Sequence, residues 1–212
     1  MSEIVKVENV TKYFKQEKVL DDVNMNLETG HIYGIVGKNG AGKTVLFKII
    51  AGFIKPSSGK VTVAGKIIGV DRDFPDSLGL IIETPGFLSQ YNAYQNLLYL
   101  ANINNKISKE DIKEAIRMVG LDPDRNKKVG KFSLGMRQRL GIAQAIMENP
   151  NLIILDEPMN GLDKKGIEDV KELLLKLKGD GKTILMASHY AEDMEICDEV
   201  FQMEDGKLGD MK

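Results

Sequence analysis

Gly37-Lys38-Asn39-Gly40-Ala41-Gly42-Lys43-Thr44 fits the pattern G-x-x-x-x-G-K-[ST] without a mismatch, and that spacing has a definite chemistry. Glycines at 37, 40 and 42 let the backbone turn tightly enough for several N–H groups to point inward at phosphates. Lys43 brings positive charge to the β- and γ-phosphates, and the Thr44 hydroxyl stands where it can hold Mg²⁺. The flanks must position this loop. Ile32-Tyr33-Gly34-Ile35-Val36 before it reads as a short buried strand, and Val45 to Gly52 after it as a helix ended by glycine. Strand, glycine loop and helix N-terminus together make an anion site from backbone dipoles. The implied ligand is a nucleoside triphosphate, with Val45 joining the loop residues at the nucleotide.

A second set of acids sits at a distance. Leu152-Ile153-Ile154-Leu155 runs into Asp156-Glu157 after Asn149-Pro150, the pattern of a central strand in a parallel sheet. Ligands bind beyond the carboxyl ends of such strands. Asp156 is placed to reach Mg²⁺ directly or through water, and Glu157 to polarise a water attacking the γ-phosphate.

The third element is Phe132-Ser133-Leu134-Gly135-Met136-Arg137-Gln138-Arg139-Leu140. Ser133 is a good N-cap for the helix that follows, and its Ser and Gly make a second anion site with no second phosphate loop to serve. The order of phosphate loop, this segment, Leu152 to Glu157, Asn160-Gly161-Leu162-Asp163 and Ser188-His189 resembles the ATP-binding subunits of ABC transporters over essentially the whole chain. The resemblance implies that Ser133 and Gly135 reach across to ATP held by another subunit, with Asp163 among the nucleotide contacts. It implies that His189, just after the strand Thr183–Ala187, contacts the γ-phosphate and joins Glu157 and Lys43 in catalysis. Tyr13, in Thr11-Lys12-Tyr13-Phe14, takes the place of the aromatic that stacks on adenine, with Phe14 as the alternative.

Two departures from the family pattern stand out. The usual Leu-Ser-Gly-Gly-Gln is Phe132-Ser133-Leu134-Gly135-Met136 here, so Leu134 replaces a glycine and Met136 a glutamine. Where the family has Gln before its helical subdomain, this chain has Glu83, ahead of Thr84-Pro85-Gly86-Phe87. A carboxylate there can ligate Mg²⁺ as an amide oxygen does, but adds a full negative charge. That variant resembles the branch of bacitracin-, lantibiotic- and multidrug-type exporters.

Composition excludes several other classes. The 212 residues carry 29 Lys plus Arg against 31 Asp plus Glu, a net charge of -2 that offers no footprint for nucleic acid. A single cysteine, Cys197, precludes an internal disulfide and suits a reducing compartment. The N-terminal residues lack the apolar core of a secretion signal, and no stretch approaches the roughly 20 apolar residues that span a bilayer. The expectation is a cytoplasmic subunit, peripheral at the inner face of the membrane through a permease, without insertion of its own.

Val23, Met25 and Leu27 alternate as in a half-buried strand and, with Ile4, Val5, Val7, Val10 and Val61-Thr62-Val63, suggest an antiparallel layer. The pattern then turns helical from about Tyr91 to Pro150. Gly166 to Lys178 has an amphipathic stripe, and Glu199 to Met203 reads as the last strand before a turn at Asp205-Gly206. The expected fold is α/β: a P-loop NTPase core with a mainly parallel sheet, an antiparallel β subdomain and a helical subdomain over roughly residues 84–150, all one domain over 1–212. The expected activity is ATP hydrolysis with Mg²⁺ at sites shared with a second ATP-binding subunit, powering export through a separate transmembrane permease. The runner-up is a soluble ABC-type ATPase acting on nucleic acid or ribosomes. Such proteins usually carry two cassettes or a long coiled coil, and this chain has neither.

Overall fold

The computed structural model of the chain describes residues 2–210. β1 (Glu3–Phe14) and β2 (Glu17–Glu28) form a long antiparallel hairpin, with Val23, Met25 and Leu27 buried on one face and their neighbours exposed. β3 (Ile32–Val36) leads through the phosphate loop into α1 (Lys43–Ile50). β4 (Ser58–Val63) pairs antiparallel with β1, and β5 (Lys66–Ile67) closes that four-stranded sheet in the order β2-β1-β4-β5.

β6 (Leu78–Ile81) then enters the second sheet. Three helices follow, α2 (Ala93–Asn104), α3 (Lys109–Met118) and α4 (Leu134–Ile146), with a short 3₁₀ turn at Val129–Lys131. Ser108 and Asp111 cap α3 reciprocally, Asp taking the place of the usual Glu. The chain returns through β7 (Leu152–Asp156), α5 (Lys164–Gly179), β8 (Thr183–Ser188), a 3₁₀ turn at Ala191–Ile196 and β9 (Glu199–Glu204). It closes with β10 (Lys207–Asp210), which pairs antiparallel with β9. The turn at Asp205-Gly206 is therefore a hairpin, and β9 is not the last strand.

The six-stranded sheet runs β10-β9-β3-β8-β7-β6, parallel except for β10. Every residue of β7 and β8 is buried, as a strand covered on both faces requires. The alternation divides the interior in two. Ile153, Leu155, Ile184 and Met186 face the core under α2 to α5. Leu152, Ile154, Leu185 and Ala187 face the core shared with α1 and the antiparallel sheet. Both layers meet at the carboxyl ends of β3, β7 and β8, where the phosphate loop, Asp156-Glu157 and Ser188-His189 emerge together.

Candidate functional site

Gly42 caps α1 with φ +111, and a side chain there would meet Leu20 Cδ2 at 2.8 Å. Only glycine allows that turn and that approach. The loop encloses a pocket of about 250 Å³ lined by Val19, residues 38–45, Asp156 and Glu157. Val19, on the β1–β2 hairpin, is a wall residue that the motif could not reveal.

Lys43 is 6 % exposed. Its ammonium donates to the Gly37 and Lys38 carbonyls and lies 3.7 Å from Glu157 Oε1. Thr44 Oγ1 donates to Asp156 Oδ2 at 2.6 Å. Burial pushes the Asp156 carboxyl above its ordinary range, and the charge of Glu157 adds to this. The Thr44 hydroxyl, the Lys43 ammonium and the Glu83 backbone N–H pull the other way. A hydroxyl and a carboxylate this close are hard oxygen donors that suit Mg²⁺, a cation that takes its remaining ligands from phosphate and water. Among the described residues no cluster of three or more His, Cys, Asp or Glu could hold a metal by itself.

Glu157 Oε2 lies 2.9 Å from His189 Nδ1. A carboxylate only accepts, so the hydrogen between them belongs to the imidazole. His189 is itself braced: Ser188 Oγ donates to buried Asp193 at 2.5 Å and accepts from the Tyr190 N–H at 3.0 Å. Glu157 has φ +51 and Glu83 φ +59. A left-handed conformation at a non-glycine residue costs on the order of 1–3 kcal/mol and persists only where surroundings impose it. Here it turns the Glu157 side chain back over the phosphate loop.

Gly37, His189 and the remaining expected site residues stand outside the pocket lining. Tyr13 is 42 % exposed at the end of β1, across from Lys18, which precedes Val19. The Glu83 carboxylate is exposed and pairs with Lys48 of α1 at 2.5 Å. Ser133 caps α4 by accepting from the Met136 N–H at 3.2 Å. Gly135 lies so near the Gly161 carbonyl that an added Cβ would stand 2.9 Å from it. Asp163 caps α5 through the Gly166 N–H at 2.9 Å. Ser133, Gly135 and Asp163 thus form a second group. The tie to the first that sequence reasoning missed is the buried Gln138, whose Nε2 donates to the Glu157 carbonyl at 3.0 Å. Its place one turn into a capped helix was the available signal.

Residues 20–160 match the ABC transporter family. The chain belongs to that family. Among its relatives, an uncharacterized ABC transporter ATP-binding protein, YybJ, of Bacillus subtilis (strain 168) is 45 % identical over 97 % of this chain and 94 % of its own length. The bacitracin transport ATP-binding protein BcrA of Bacillus licheniformis is 42 % identical over 98 % and 69 %. The lantibiotic transport ATP-binding protein SrtF of Streptococcus pyogenes is 35 % identical over 97 % and 89 %. A solved dimeric ATP-binding cassette in a post-hydrolysis state, bound to ADP and Pi, superposes with a TM-score of 0.88 at 26 % identity and covers 99 % of each chain.

The protein is an ATP-binding subunit of an ABC transporter and an ATPase, and the resemblance read from its motifs holds, including the bacitracin and lantibiotic branch. The α/β ABC ATPase fold is as expected. The runner-up, action on nucleic acid or ribosomes, is not favoured by relatives named for transport. Among the described residues no helix is long and apolar enough to cross a membrane.

Proposed function

We propose that the chain hydrolyses Mg²⁺-bound ATP at two composite sites in a head-to-tail dimer and powers export of a drug, antibiotic peptide or similar compound through a separate permease. The observation that carries the catalytic part is Glu157, held between Lys43 and His189 beside the phosphate loop. Lys43 and the loop N–H groups bind the phosphates, Thr44 and Asp156 hold Mg²⁺, and Glu157 takes the proton of the attacking water while His189 orients it. The metal, when bound, neutralises charge developing on the phosphates. Glu83, within reach of Asp156 through its backbone and of α1 through Lys48, relays occupancy of this site to residues 84–150, which act as a helical subdomain against the permease. Such a subunit is peripheral on the inner face of the membrane. The cargo class is supported by the bacitracin and lantibiotic transport names of the relatives.

The dimer is supported by Ser133 and Gly135, a capped helix N-terminus that does not line this chain's own pocket, and by the dimeric cassette of the same fold. Glu157→Gln with Mg·ATP is expected to sediment as a dimer, because the interface is no longer released by hydrolysis, and with ADP as a monomer. A monomer at ATP concentrations far above the nucleotide affinity excludes the homodimer.

Tyr13 is the proposed base-stacking residue, with an exposed ring at the strand end that adjoins Val19. Base–aromatic stacking is worth roughly 1–3 kcal/mol, so Tyr13→Ala should weaken ATP and ADP alike by several-fold or more, and Tyr13→Phe should be nearly silent. A larger loss for Phe14→Ala in the same calorimetric titrations would move the stacking role to Phe14, which is equally open at 43 % exposure.

A further inference from the structure

Glu157 is held in its left-handed backbone conformation by three hydrogen bonds. Its N–H donates to the Ala187 carbonyl at 2.9 Å, and its carbonyl accepts from the Asn160 N–H at 3.1 Å and from Gln138 Nε2 at 3.0 Å. The first two come from the neighbouring strand β8 and from Glu157's own turn. The third is a side-chain bond, and it comes from α4, a different part of the molecule.

Gln138 is 8 % exposed, and its Nε2 is committed to this contact. It sits three residues after Gly135, about one helical turn along α4. The start of the same helix rests on the turn that follows Glu157. Leu134, the residue that departs from the family's glycine, packs on Gly161 so closely that a Cβ there would fall 2.5 Å from its Cγ. Arg139, the residue after Gln138, pairs with Asp169 of α5 at 2.8 Å. The start of α4 and the segment from Glu157 to Asp169 are therefore joined by contacts on either side of Gln138.

We propose that Gln138 is a positioning residue for ATP hydrolysis: through the Glu157 carbonyl, the helix whose N-terminus faces the second subunit's nucleotide also aims the general base at its own. The step from one nucleotide to the other rests on the head-to-tail reading above; the aiming of Glu157 needs only its assignment as base. A shift of the helix start on closing over the partner's γ-phosphate passes to Glu157 through one helical turn and one amide. Reacting groups misplaced by about 1 Å lose on the order of 100-fold in rate.

The test is a double-mutant cycle. Gln138→Met keeps side-chain length and removes the donor. It should lower kcat by roughly 10- to 100-fold and leave the KM for ATP and ATP-driven dimerisation unchanged. In a Glu157→Gln background the same substitution should cause no further loss, because there is no base left to aim. Unchanged kcat, or losses that multiply across the pair, overturn the proposal, as does dimerisation lost in step with activity. If Gln138→Met does not fold, Gln138→Asn carries the test: it keeps a polar amide but is one methylene short of the Glu157 carbonyl, and should lose turnover in the same way; wild-type turnover in it overturns the proposal. Wild-type hydrolysis without an ATP-driven dimer removes the link between nucleotides, and the kcat cycle still decides whether Gln138 aims Glu157.

Discussion

Glu157→Gln is expected to lower steady-state turnover by about 10² to 10⁴-fold while ATP still binds, the loss that follows if Glu157 supplies general-base catalysis. The geometry adds a detail to that expectation. The carboxylate has Lys43 near Oε1, at 3.7 Å, and His189 Nδ1 at Oε2, at 2.9 Å, so both oxygens face donors. An amide presents one oxygen and one NH₂ to those two neighbours and can accept from only one of them. The substitution therefore removes the proton acceptor and loosens one side of the Lys43–Glu157–His189 chain. Binding of the phosphates, which depends on the loop N–H groups and Lys43, should persist in equilibrium titrations. Hydrolysis within a factor of about three of wild type would remove Glu157 from the role.

What the sequence shows and what it hides divide along physical lines. The phosphate loop is local: each of its eight residues has its function within one turn of its neighbours, so pattern and chemistry coincide. β7 and β8 are equally legible, because strands buried on both faces are continuous apolar runs. Ser133 as the cap of α4 and Ser108 with Asp111 as the cap of α3 follow from hydrogen bonding within three residues. The contacts that escaped reading are those made across the fold. Lys48–Glu83 joins α1 to the end of β6, 35 positions apart, and Gln138–Glu157 spans 19. Val19 reaches the pocket only because the β1–β2 hairpin is laid over the loop. Nor does any propensity announce that Glu83 and Glu157 adopt positive φ, since surrounding structure imposes it. β10 was missed for a different reason: Asp205-Gly206 reads as an ending, and four residues of edge strand after it carry little pattern.

Lys43→Ala should act on the ground state as well, and so differ in kind from Glu157→Gln. The ammonium is buried and donates to two loop carbonyls. Its removal takes away a charge-assisted partner for the phosphates, worth roughly 1.5–3 kcal/mol for hydrogen bonds to charged groups, or about 10- to 150-fold in ATP affinity. A second consequence has a definite sign. Burial already raises the Asp156 carboxyl, and Lys43 is one of the groups that lowers it again. Without Lys43 that carboxyl titrates higher still, so Asp156 is protonated over a wider acid range. A protonated carboxyl is a poor ligand for Mg²⁺, so the acid limb of residual hydrolysis should move to higher pH. Lys43→Arg should not rescue the affinity, because a planar guanidinium cannot reproduce a compact ammonium seated among carbonyls, whereas its positive charge should hold the acid limb near the wild-type position. Calorimetry showing wild-type ATP affinity in Lys43→Ala would take Lys43 off the phosphates. An unmoved acid limb would show that Asp156 does not feel its charge.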